Sequence, residues 1–93
     1  MAGHANTVDG NDNSLIGSEN RVSGDKNTLK GHLNNFVGSH NVAAGNQNAV
    51  IGHNNGVGGN RNTVDGSENI VLGDKNALLN ANRNRVNGSL NTI

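Results

Sequence analysis

The chain has 93 residues, with 31% hydrophobic residues, a single aromatic (Phe36), fourteen Gly, no Pro and no Cys. Seven Lys and Arg balance seven Asp and Glu, which removes the electrostatic basis for binding nucleic acid or an anionic membrane. This composition excludes an ordinary compact core, disulfides and thiol chemistry, and no apolar run reaches the roughly 20 residues of a membrane span.

Such a composition alone suggests disorder, but a strict register argues against it. The unit x-x-Asn-x-Val-x-Gly begins at Asn6-Thr7-Val8-Asp9-Gly10 and recurs every seven residues. Its Asn falls at positions 6, 13, 20, 27, 34, 41, 48, 55, 62, 69 and 76, then at 84 and 91 after one inserted residue near 81–83. The Val position holds Val8, Leu15, Val22, Leu29, Phe36, Ala43, Val50, Val57, Val64, Val71, Leu78, Val86 and Ile93. The Gly position holds Gly at 10, 17, 24, 31, 38, 45, 52, 59, 66 and 73, then Asn80, then Gly88. Asn tolerates left-handed dihedrals better than most residues, so Asn80 is expected to fill the same role as Gly.

Asn and Val stand two apart, so on a strand they share a side. Those positions are nearly uniform and the ones between them are mixed, which makes the Asn and Val side the interior. Gly and the next two residues form the turn. A helix fails, because Gly every seventh residue costs about 1 kcal/mol each relative to Ala. Two heptads make one coil of 14 residues with two facing strands, giving about six and a half coils. The reading is an all-β, parallel two-sheet β-solenoid forming a single domain over residues 1–93. Phe36 and Ala43, the largest and smallest core residues, fall in adjacent heptads and are expected to compensate in volume. Inward Asn side chains must pair, because a buried amide without partners is expensive.

The outer positions form two faces. The even heptads supply Ser14/Ile16, Thr28/Lys30, Val42/Ala44, Gly56/Gly58, Ile70/Leu72 and Arg85/Asn87. The odd heptads supply Thr7/Asp9, Arg21/Ser23, Asn35/Val37, Ala49/Ile51, Thr63/Asp65, Ala77/Leu79 and Thr92. The even face reads as the flatter and more apolar through its middle, and a contiguous exposed apolar strip usually marks a binding surface. The binding or self-association face is therefore taken as Ser14, Ile16, Thr28, Val42, Ala44, Gly56, Gly58, Ile70 and Leu72. The second face comprises Thr7, Ser23, Val37, Ala49, Ile51, Thr63, Ala77 and Leu79.

Catalytic and metal chemistry find no support. His4, His32, His40 and His53 all fall in turns, and the acidic residues in turns or on outer positions. His40 and His53 lie on one edge of successive coils, where exposed, unligated histidines are the simplest reading. Val57-Gly58-Gly59-Asn60 is not a phosphate loop, since no helix or loop Lys follows. No glycosylation acceptor is expected: Asn11-Asp12-Asn13 and Asn20-Arg21-Val22 lack the required third-position Ser or Thr. No cofactor is expected.

The heptad unit, over nearly all of the chain, resembles the ice-binding (antifreeze) repeat of ryegrass and related grasses. That resemblance implies a left-handed β-roll of 14 to 15 residues per coil, with inward Val and Asn and turn Gly. It also implies an extracellular or cell-surface protein whose partner is ice, adsorbed through a flat sheet face. The chain departs from the family by placing Asp9, Asp65, Arg21, Lys30 and Arg85 on outer positions and by lacking a long Thr column. Asn48-Ala49-Val50-Ile51-Gly52 and Asn69-Ile70-Val71-Leu72-Gly73 are also similar to head repeats of trimeric autotransporter adhesins. That second resemblance implies a structural or adhesive module that self-associates as a homo-oligomer. Near-duplicates, Asn6–Gly10 with Asn62–Gly66 and Asp25-Lys26-Asn27 with Asp74-Lys75-Asn76, point to growth by duplication. End coils with unpaired ladder groups invite end-to-end stacking or membership of a longer array.

Overall fold

A computed structural model describes residues 3–93. The chain winds into two parallel sheets of six strands each, with no helix among the described residues. The first sheet takes the odd strands: β1 (Thr7–Asp9), β3 (Arg21–Ser23), β5 (Asn35–Ser39), β7 (Ala49–His53), β9 (Thr63–Ser67) and β11 (Ala77–Asn82). The second takes β2 (Ser14–Ser18), β4 (Thr28–His32), β6 (Val42–Ala44), β8 (Gly56–Gly58), β10 (Ile70–Leu72) and β12 (Arg85–Asn87). Strands pair with their counterparts 14 residues on, as in Val8↔Val22 and Leu15↔Leu29, until the inserted residue makes the spacing 15, as in Val71↔Val86. A parallel bridge between Ala77 and Thr92 begins a further half-coil. The solenoid measures 31 × 19 × 13 Å.

The interior matches the two-residue alternation. Leu15, Val22, Leu29, Phe36, Ala43, Val50, Val57, Val64, Val71, Leu78 and Val86 form one buried cluster. Phe36 and Ala43 are both fully enclosed in it, on facing sheets. The expectation fails at the two ends of the stack: Val8 is 36% and Ile93 50% exposed. A side chain in a terminal coil is covered by a neighbour on one side alone, so the repeat position does not by itself bury it.

The Asn column explains how so thin a core holds. Asn41 donates its backbone N–H to Asn27 Oδ1 at 3.0 Å and its Nδ2 to the same oxygen at 3.1 Å. Its Nδ2 also donates across the corner to the Gly52 carbonyl at 2.9 Å. Its own Oδ1 accepts from the N–H and Nδ2 of Asn55, both at 3.1 Å. The amide thus uses two donors and accepts twice, and the same scheme repeats at Asn62 and Asn76. Among the described residues no buried side-chain nitrogen or oxygen lacks a partner.

The corners carry two special backbones, and the sequence reveals one of them. Gly at the repeat position adopts φ between 115° and 141°. At Gly38 an added Cβ would lie 1.8 Å from the Gly52 carbonyl oxygen, so glycine is required by contact as well as by dihedral. The third corner residue is also left-handed, at φ of 58° to 63°, although it is Ala5, Asp12, Glu19, Lys26, Leu33, His40, Gln47, Asn54, Arg61, Glu68, Lys75, Arg83 or Leu90. Its N–H donates to a backbone carbonyl of the preceding coil, as from Leu33 to Ser18 at 3.1 Å. These bonds offset the roughly 1–2 kcal/mol cost of that conformation for a residue with a Cβ.

Two expectations about the insertion are corrected. Asn80 does not reproduce the glycine conformation: its φ is 52°, against 131° at Gly73 and 134° at Gly88. The irregularity lies at Leu79 and Asn80, because register shifts between Leu78 and Ala81 and Ala81 pairs with Gly66. The bulge precedes Asn82 and Arg83. Its cause is the absence of a glycine, since only glycine enters the φ region the tight corner uses; the extra residue lets the chain turn otherwise.

Urea unfolding will separate these roles. Asn41→Ala, which orphans groups on both neighbouring coils, should lower stability by at least about 1–3 kcal/mol, and Gly38→Ala should lower it further. Leu33→Asn, at an exposed left-handed corner, should raise stability by roughly 1 kcal/mol. Asn35→Ala, on the outer face, should stay within about 0.5 kcal/mol.

Candidate ligand-facing surfaces

The outer residues of each sheet form ladders at the strand spacing of about 4.8 Å. On the second sheet two columns run Ser14, Thr28, Val42, Gly56, Ile70, Arg85 and Ile16, Lys30, Ala44, Gly58, Leu72, Asn87. Every face residue named from the sequence therefore lies on the sheet assigned to it. Within these columns Val42, Ala44, Gly56, Gly58, Ile70 and Leu72 form a block over β6, β8 and β10 with no polar side chain. Val42, Ile70 and Leu72 remain about half exposed.

On the first sheet the columns run Thr7, Arg21, Asn35, Ala49, Thr63, Ala77 and Asp9, Ser23, Val37, Ile51, Asp65. Its apolar run is shorter: Val37 registers with Ile51, and Ile51 then meets Asp65.

Charge is largely displaced to the corners. Nine of the fourteen charged residues sit there: Asp12, Glu19, Asp25, Lys26, Arg61, Glu68, Asp74, Lys75 and Arg83. The first sheet keeps Asp9, Arg21 and Asp65, and the second keeps Lys30 and Arg85. An exposed pair, Arg83 Nε to Glu68 Oε2 at 3.2 Å, crosses one corner. On the opposite corner the second residue of the turn, directly after the glycine, supplies an acceptor to the previous coil. His32 Nδ1 takes the Ser18 N–H at 3.1 Å, Asn46 Oδ1 the His32 N–H at 3.0 Å, and Asp74 Oδ1 the Asn60 N–H at 2.9 Å. Acceptor-bearing side chains spaced by 14 were the sequence signal for this ladder.

The expectation of a flat second-sheet face is corrected at its centre. Gly56 and Gly58 leave a notch one strand wide between the Val42/Ala44 row and the Ile70/Leu72 row. A Cβ on Gly56 would meet nothing within 4 Å, whereas one on Gly58 would stand 3.0 Å from Leu72 Cδ2. Leu72 therefore leans into one end of the notch. Neither glycine has positive φ, so both are compatible with an ordinary side chain.

Concave features are open troughs along the corners, one lined by Asn46, Gln47, Asn60, Arg61, Asp74 and Lys75, another by Ser67, Glu68, Asn82 and Arg83. No group of three or more His, Cys, Asp or Glu is placed to hold a metal among the described residues. The glycosylation expectation also needs correction, because Asn87-Gly88-Ser89 does carry Ser at its third position.

Two regular sheets, a polar-laddered interior and glycine corners define a parallel β-solenoid of the β-roll class. A family model described as "grass antifreeze beta roll" matches residues 1–93. The chain belongs to that family. No curated protein matches it.

Gly56→Val should fill the notch without unfolding the protein and raise stability by about 0.5–1 kcal/mol, because glycine is costly in a strand. Gly58→Val, which must displace Leu72, should gain less; thermal unfolding of both variants tests this.

Proposed function

We propose that this protein is a non-catalytic ice binder that acts through the outer face of the second sheet. The observation that carries the reading is the six-residue block Val42, Ala44, Gly56, Gly58, Ile70 and Leu72, which is in register and without charge, its four side-chain-bearing residues exposed and its two glycines half-buried. Membership of the antifreeze β-roll family supports it. Ser14, Ile16 and Thr28 extend the same surface at one end.

The physical basis is preorganisation. The columns repeat at about 4.8 Å on a frame whose entropy has already been spent in folding. Water beside methyl-bearing side chains cannot hydrogen-bond to them, so it orders against itself. Rigid rows of methyl groups on either side of the glycine notch, from Val42 and Ala44 and from Ile70 and Leu72, hold that water in an arrangement that an ice lattice can continue. Adsorbed protein then blocks the steps at which crystals grow. Lys30 and Arg85 sit outside the central block, so their hydration does not interrupt it. The reading includes no cofactor, nucleic acid or membrane partner, and an extracellular or cell-surface setting. No helix among the described residues is long and apolar enough to cross a membrane.

A second reading rests on the same exposure. Ile16, Val42, Ile70 and Leu72 are each about half exposed on one face, and such a surface also suits association with a second copy.

Inhibition of ice recrystallisation and thermal hysteresis at micromolar protein will discriminate the two. The expected result is a monomer by light scattering with measurable ice activity. Val42→Arg should reduce that activity severalfold while Ala49→Arg, on the opposite sheet, leaves it near the parent value. A stable dimer or trimer without effect on ice would favour self-association and overturn the first reading.

A further inference from the structure

We propose that Asn87 is an acceptor for N-linked glycan and that a glycan there crowds one end of the second-sheet face. The second half of this proposal rests on the ice-binding reading; the first half does not.

The repeat itself explains why this Asn stands apart. An acceptor needs Ser or Thr two residues after Asn. Every ladder Asn has an apolar residue at that place, from Val8 after Asn6 to Ile93 after Asn91. The buried column is thereby barred from modification, which would in any case prevent its side chains from stacking. An acceptor is possible only at an Asn outside the ladder. Asn87-Gly88-Ser89 is the one triplet in the chain that meets the rule.

The fold leaves this Asn available. Asn87 ends β12 as an exposed, outward residue, and its amide has no hydrogen-bond partner among the described residues. The next two residues already serve the stack through atoms a glycan does not touch. Gly88 donates its N–H to the Leu72 carbonyl at 2.8 Å and accepts Asn76 Nδ2 at 2.7 Å. Ser89 Oγ accepts the Asp74 N–H at 3.4 Å. A glycan attached to the unfolded chain would therefore leave each native bond in place. In the folded state Asn87 registers with Leu72, so the sugar would stand over the Ile70/Leu72 end of the apolar block.

The transfer is chemically complete with a lipid-linked oligosaccharyl pyrophosphate as donor. The Asn87 side-chain nitrogen bonds to the anomeric carbon and loses a proton to the transferase base. The bond from that carbon to pyrophosphate oxygen breaks, and the lipid pyrophosphate departs.

The test expresses the full chain behind a secretion leader in eukaryotic cells and, separately, in bacteria without glycan. Intact-mass and peptide analysis should find a glycan on Asn87 of the secreted protein, absent from secreted Asn87→Gln and Ser89→Ala variants. Secreted protein with unmodified Asn87 would overturn the acceptor assignment. Trimming with an endoglycosidase should raise recrystallisation inhibition severalfold towards the bacterial level. A glycan-bearing form as active as the trimmed form would overturn the crowding. Bacterial protein inactive on ice would defeat the ice-binding reading and leave the mass result standing.

Discussion

The structure depends on one constraint: a carboxamide enclosed between two sheets must find two donors' and two acceptors' worth of partners without water. Asn41 meets that demand only when another Asn lies directly before it and another directly after it in the stack. The bond from Nδ2 to the carbonyl of the Gly at the corner adds a second condition, tying the end of one strand to the start of another. Together these fix coil length, because a slip of one residue would put an outer-face or corner residue in the Asn column and leave several buried polar groups unpaired. Hydrophobic burial does not supply such precision here, since the core is a double file of Val, Leu, Ala and one Phe.

That constraint is why the interior was legible in the sequence. Asn at i and an apolar residue at i+2 occupy a single face of a strand, and a polar residue so invariant in spacing had to be structural. The corners were legible only in part. Glycine announced itself because φ near 130° admits nothing else and because its missing Cβ makes room for the Gly carbonyl of the next coil. The left-handed third residue did not, because Leu33, Lys26 and Glu19 are all held there by coil-to-coil backbone bonds that ignore the side chain. Asn80 misled for the same reason. Tolerance of left-handed φ is one property and tolerance of the wider glycine region is another, and Asn80 has the first.

The candidate surface was legible as a set of residues and illegible as a shape. Alternation alone assigned Val42, Gly56 and Ile70 to one face, and the register aligned them. The notch required knowing that Gly56 has open space above it while Gly58 lies beneath Leu72. Long side chains lean along a face in ways that spacing does not encode. Charge followed a simpler rule. The corners project furthest into solvent, so Asp25, Lys26, Asp74 and Lys75 stay hydrated there at little cost and leave the sheets comparatively bare.

The inserted residue bears on which sheet can present a lattice. Its register shift falls between Leu78 and Ala81, in the pairing of β11 with β9, and so distorts the first sheet. One corner later the second sheet has recovered: Ile70, Val71 and Leu72 pair with Arg85, Val86 and Asn87 in an unbroken run, now 15 residues apart. The interior ladder also continues, with the Asn84 N–H on Asn69 Oδ1 at 3.0 Å. A surface that matches an ordered array gains from each additional row only while spacing and phase are kept. The second sheet keeps both from β2 to β12, whereas the first loses phase at β11. Regularity across all six strands therefore favours the face that also carries the uncharged block, and these two properties have independent origins, one in corner glycine chemistry and the other in outer-residue composition.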